Sequence, residues 1–132
     1  KEQTKYLLNL VAKIWLYPDL FIACTFYAAR FPYEVWILPK HHQSQFESEW
    51  QRALTELAQI MRTVINKIGK TLYNPSLNFF VHDSPTQVGE TNYYHWHIEI
   101  TPRLSHYGGY EIGSGVIIDI ESPEKAAEKL DS

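Results

Sequence analysis

Apolar and polar residues alternate along this chain with two distinct periods, and the switches between them mark out its elements. From Tyr6 to Leu16 the apolar positions recur at steps of three and four. That spacing predicts a helix, capped by Thr4 and ended at Tyr17-Pro18-Asp19. Leu20 to Tyr27 is a strand-like apolar run. Arg30-Phe31-Pro32 predicts a turn. Tyr33 to Pro39 is rich in β-branched and aromatic residues and predicts a second strand. Beyond Ser44 or Ser48, the residues Phe46, Trp50, Leu54, Leu57, Ile60, Met61, Val64, Ile65 and Ile68 again fall three and four apart. They predict an amphipathic helix of about 24 residues, stopped near Gly69. Leu77 to His82 predicts a third strand, Tyr94 to Thr101 a fourth, and Gly109 to Ile120 a fifth, weakened by Gly113 and Gly115. Ser122-Pro123-Glu124 then opens a terminal helix, with serine as N-cap and proline at the first helical position.

The resulting order, α-β-β-α-β-β-β-α, predicts an α+β fold. An antiparallel sheet of about five strands would carry the long helix and the terminal helices on one face. The 132 residues are the size of one domain, so residues 1–132 are taken as a single unit. The chain starts without a methionine, and the expectation is a segment of a longer protein.

Composition narrows the functional classes. Twelve basic residues against 15 acidic ones give a net charge of −3, which argues against a broad nucleic-acid or anionic-membrane surface. No apolar run approaches the roughly 20 residues that span a bilayer. The single cysteine, Cys24, allows no internal disulfide, reads as a small buried hydrophobe, and points to a reducing, cytoplasmic compartment. Trp15, Trp36, Trp50 and Trp96 fall on apolar faces and are expected in the core.

The chemistry concentrates on the fourth strand. Successive side chains on a strand point to opposite faces. Trp96, Ile98 and Ile100 would therefore pack under the long helix, and His95, His97, Glu99 and Thr101 would share the other face. If the third strand pairs with the fourth as a hairpin, His82 reaches the His97 region. Two imidazoles and a carboxylate converging from paired strands make three ligands for zinc or iron. A second reading makes His97 a nucleophile at phosphorus, its tautomer fixed by His95 or a backbone carbonyl. A third is that these are solvated polar residues on an open sheet face.

Three blocks of sequence carry a resemblance. Phe31 to His42, with its Pro-x-x-Val-x-x-x-Pro-Lys-x-His order, resembles the corresponding segment of histidine-triad proteins. His95-x-His97-x-Glu99-x-x-Pro102-Arg103 resembles their His-x-His-x-His strand, with glutamate at the third histidine. Together with Gly108-Gly109-Tyr110-Glu111-Ile112-Gly113-Ser114-Gly115 and the terminal Ser122 to Ala127, they are similar to the C-terminal half of galactose-1-phosphate uridylyltransferases, over residues 17–130.

That resemblance implies a two-half, dimeric nucleotidyltransferase. UDP-glucose gives its uridylyl group to a histidine, and hexose 1-phosphate then takes it. The nucleophile belongs to a His-Pro-His motif of the N-terminal half, which this chain lacks, as it lacks a Cys-x-x-Cys zinc pair. The chain then corresponds to the supporting half, inactive alone. By the same resemblance His82, His97 and Glu99 are metal ligands, Tyr110 and Glu111 contact the hexose, and Asn78 lies by the nucleotide. The alternatives are a stand-alone histidine-triad nucleotide hydrolase or nucleotidyltransferase with His97 as nucleophile, an ADP-sugar phosphorylase-type relative, and a non-enzymatic scaffold.

Overall fold

The computed structural model describes residues 11–16, 19–48 and 51–132; the side chains of 11–16, 48, 51 and 52 fall outside that description. One antiparallel sheet organises the chain. Its strands are β1 (Val11–Leu16), β2 (Phe21–Phe26), β3 (Val35–Pro39), β4 (Ser76–His82) and β5 (His97–Arg103), in the spatial order β1-β2-β3-β5-β4. The long helix α1 (Gln51–Leu72) separates β3 from β4. A short helix α2 (Gly109–Ser114) and the terminal helix α3 (Pro123–Asp131) follow β5.

The core lies between the sheet and α1. Phe21 and Ala23 of β2, Val35 and Ile37 of β3, and Ile98 and Ile100 of β5 meet Ala53, Leu57, Ile60, Val64 and Ile68 of α1. The three-and-four spacing puts those helix residues on one stripe, and the two-residue period puts those strand residues on one face. Trp96 is fully buried in the same cluster, edge-on to Phe46. Ala126, Ala127 and Leu130 of α3 close the end of the core. Ser122 caps α3 as expected, its Oγ accepting from the Lys125 amide at 3.4 Å, with Pro123 at the first helical position.

Several elements differ from expectation. Residues 11–16 of the expected first helix form β1, and Thr4 and residues 6–10 lie outside the described residues. Their apolar spacing satisfies a helix and an edge strand alike, and pairing with β2 decides in favour of the strand. Helix α1 runs three residues past Gly69. It ends where Tyr73 and Asn74 turn left-handed, at φ of 60° and 57°, and the Asn74 amide donates to the Gly69 carbonyl at 2.8 Å. The fourth expected strand begins at His97 instead of Tyr94. The fifth, Gly109–Ile120, is not a strand: Gly109–Ser114 is helical, Gly115 caps it at φ 72°, and Ile112, Val116, Ile118 and Ile120 are exposed. Trp15 and Trp50 fall outside the described side chains. Trp36 is half-buried on the face away from α1, with Ile22, Cys24 and Leu38. Strand β4 forms the outer edge of the described sheet, with Phe79, Phe80 and Val81 all substantially exposed.

Among the described residues, no helix is long and apolar enough to cross a membrane.

Candidate functional site

The register of β4 against β5 builds the site. His82 pairs with His97, Phe80 with Glu99 and Asn78 with Thr101, so all six occupy the sheet face opposite α1. On β3, Trp36 pairs with Glu99. Four rings then stack across four strands. Phe26 lies on Trp36 at 4.1 Å and 6°, Trp36 on His97 at 4.1 Å and 12°, and His97 on His82 at 4.9 Å and 13°. The His97 ring is thus held between two others.

Hydrogen bonds fix which nitrogen of His97 is free. Its Nδ1 lies 3.1 Å from the His95 carbonyl, which can only accept, so Nδ1 carries the proton in the neutral ring. The Nε2 lone pair then faces Glu99 Oε1 at 3.5 Å. His82 Nε2 is buried without a hydrogen-bond partner, 3.4 Å from Glu99 Oε2. Two imidazole nitrogens and a carboxylate converging from paired strands could hold a cation between them. Ligand atoms ~2.0–2.2 Å from one tetrahedral ion stand ~3.3–3.6 Å apart, a spacing that His97 meets at Oε1 of Glu99 and His82 at Oε2. The three residues can each offer one donor within 4.8 Å of the others, and Glu99 is buried. The orphaned His82 nitrogen and the two-histidine, one-carboxylate donor set both fit a divalent ion.

Burial is the largest single influence on Glu99 and raises its pKa. His97, His82 and Arg30 together outweigh it and hold the carboxyl below its ordinary value. Arg30 is a contributor that the sequence patterns missed. Its Nη2 donates to Glu99 Oε2 at 3.1 Å from the turn between β2 and β3. That turn is held by Glu34, which is buried. Its Oε2 accepts from the amides of Arg30 and Phe31 at 3.0 and 3.2 Å, and its Oε1 accepts from Trp36 Nε1 at 2.7 Å. Only the pairing of that turn beside β5 reveals these roles.

His95 does not join the row. It precedes β5, donates from Nε2 to the Pro39 carbonyl at 2.7 Å, and turns Nδ1 to His42 Nδ1 at 3.4 Å. Burial lowers its pKa most, the Pro39 carbonyl opposes the fall, and His42 and His97 add to it. Asn78 and Glu111 line a cavity of about 520 Å³ with Phe80, Thr101, Arg103 and His106, on the same sheet face as the cluster. Both Glu111 oxygens are engaged by backbone, Oε2 by the Gly108 amide at 2.8 Å and Oε1 by the Ile118 amide at 3.2 Å. Tyr110 is exposed on α2.

This architecture has relatives. No family model matches the chain. ADP-glucose phosphorylase from Arabidopsis thaliana is 37% identical over 112 residues, covering 83% of this chain and 32% of the relative. Its crystal structure with bound ADP-glucose superposes with a TM-score of 0.89 at 30% identity, over 98% of this chain and 42% of that one. Galactose-1-phosphate uridylyltransferase from Thermotoga maritima is 29% identical over 118 residues, or 83% of this chain and 37% of the relative. The chain is a uridylyltransferase-like domain. The uridylyltransferase-like domain also shares its fold with a histidine-triad-like protein from Bartonella henselae, at a TM-score of 0.68 and 17% identity. The domain spans about a third of the curated relatives' length. It corresponds to one part of each of these relatives, an ADP-glucose phosphorylase and a galactose-1-phosphate uridylyltransferase.

Proposed function

We propose that this domain is the supporting half of a nucleotide-sugar nucleotidyltransferase, and that His82, His97 and Glu99 hold its metal, zinc or iron. The observation that carries the metal reading is the buried, partnerless His82 Nε2 facing Glu99 beside the free Nε2 of His97. When bound, the ion supplies a cross-link between β4 and β5. In this reading the nucleophilic histidine belongs to an N-terminal half of the same protein, and the working unit is a homodimer. It takes a nucleotidyl group from a nucleotide sugar and passes it to a phosphate acceptor.

The chain's own residues shape the sugar-phosphate end. Asn78 lines the cavity beside the cluster. Glu111 holds the 108–118 loop through two amides and so presents Tyr110. A sugar hydroxyl reaches Glu111 Oε1 only by displacing the Ile118 amide. Both UDP-sugar exchange with hexose 1-phosphate and an ADP-sugar phosphorylase reaction fit this half. The higher identity to the phosphorylase favours the second.

The alternative, His97 as nucleophile in a self-sufficient enzyme, fits the geometry less well. Both faces of its ring are covered and its Nε2 points at a carboxylate, which repels a phosphate.

The test has two parts. Stoichiometric zinc or iron in the purified chain, lost in His82→Ala, is expected. No nucleotidyl transfer from UDP-glucose or ADP-glucose by the chain alone is expected. Robust transfer by the chain, abolished in His97→Ala, would overturn the supporting-half reading.

A further inference from the structure

Arg30 comes from a turn 69 positions away from the carboxylate it meets. We propose that Arg30 is a positioning residue for the metal centre, holding Glu99 in the orientation that makes its carboxylate a ligand. This rests on the metal reading of His82, His97 and Glu99.

Glu99 needs a hydrogen-bond donor that the two imidazoles cannot supply. In the state ready for a metal, both imidazoles carry a lone pair on Nε2 and neither can donate to the carboxylate. Among the described residues, Arg30 Nη2, at 3.1 Å from Oε2, is the donor that remains to it. A glutamate side chain has three rotors, and a lone carboxylate facing two lone pairs would swing away. The guanidinium takes one lone pair of Oε2. It leaves Oε1 toward His97 and the rest of Oε2 toward His82.

Arg30 is itself pre-set. The amides of Arg30 and Phe31 are tied to Glu34, and the guanidinium lies 5.6 Å from the Phe31 ring centroid. The Glu34 carboxylate that fixes this turn also fixes the indole of Trp36, which backs His97. One buried acid therefore orients two of the three ligands, Glu99 through Arg30 and His97 through Trp36.

A guanidinium near a metal also repels it, so two effects compete. The Arg30 side chain is 60% exposed, which lets water screen the longer-range repulsion, while the direct 3.1 Å contact to the 6% exposed Glu99 side chain is screened less. Hydrogen bonds to ligating carboxylates support metal affinity, and losing one weakens it about 10- to 100-fold. Positioning wins.

The experiment titrates the full chain, its Arg30→Ala and Arg30→Lys variants and His82→Ala with Zn²⁺ against a chromophoric chelator. Co²⁺ absorption spectra report the ligand set. Arg30→Ala is expected to bind Zn²⁺ about 10- to 100-fold more weakly with an altered Co²⁺ spectrum. Arg30→Lys is expected to recover part of the loss, and the metal-free variants to unfold at the wild-type denaturant midpoint. Wild-type or tighter Zn²⁺ binding by Arg30→Ala overturns the proposal and leaves the metal site standing. Absence of stoichiometric Zn²⁺ from the wild type, with no difference from His82→Ala, overturns the metal reading and this proposal together.

Discussion

Replacing Glu34 by glutamine tests how the site is built. Glu34 is 2% exposed and offers two oxygens to three donors, the amides of Arg30 and Phe31 and the Trp36 indole. Glutamine keeps one acceptor and turns the other into an NH₂ donor. If its oxygen stays on the two amides, the NH₂ confronts the indole N–H across the present 2.7 Å contact. The change removes one charge-assisted bond, worth about 1.5–3 kcal/mol, and weakens the other two by neutralising them. The expected total is about 2–4 kcal/mol. At roughly 2.1 cal/mol/K of unfolding entropy per residue, the melting temperature of a chain this long falls by roughly 7–14 °C. Urea denaturation followed by far-ultraviolet circular dichroism measures the loss. The decisive comparison is the same substitution in a Trp36→Phe background, where no indole donor is left to confront. There the cost of Glu34→Gln is expected to shrink by about 1–2 kcal/mol. An unchanged cost in that background, or a single-mutant loss below about 0.5 kcal/mol, refutes the reasoning.

Further outcomes follow from two local features. Tyr73 holds a left-handed φ of 60° at 92% exposure, so Tyr73→Gly is expected to raise stability by about 0.5–1 kcal/mol in urea titrations, and a loss would contradict it. Burial pushes the Cys24 thiol up from 9.0 to about 12. A folded-state pKa above the unfolded one contributes stability in full below pH about 9 and loses it as pH climbs toward about 12, so the urea midpoint falls across that window and Cys24→Ala makes the slope shallower. For the same reason iodoacetamide is expected to label Cys24 only as fast as the chain opens.

The layers of this fold were legible because burial enforces period. Ile60, Val64 and Ile68 announce α1, and Phe21, Val35, Ile98 and Ile100 announce the strands beneath it. Where burial does not act, pattern misleads. Ile112, Val116, Ile118 and Ile120 alternate like a strand yet are exposed, and Gly115 ends a helical turn among them. Residues 11–16 carry a spacing that suits helix or strand, and only the partner strand chooses. The histidine–glutamate cluster was legible because the β4–β5 register follows from alternation and puts His82 opposite His97. His95 was misplaced because β5 starts two residues beyond it. Arg30 was missed as a site residue because a turn carries no periodicity, and Glu34 and Trp36, around the start of β3, because their relation to Glu99 exists only in three dimensions.

Strand β4 does more than deliver His82. From Leu77 to Val81 it carries no charge and no proline, and its aromatic residues are exposed along a margin that no other described strand covers. Natural sheets blunt such margins with lysine, proline or a bulge, and β4 has none of these over that span. A short, uncharged, β-prone segment on an open edge is a template for cross-β growth. The separated domain is therefore expected to precipitate by ribbon addition at concentrations where its core is still intact. Its shelf life is then expected to follow the strand margin and not the melting temperature.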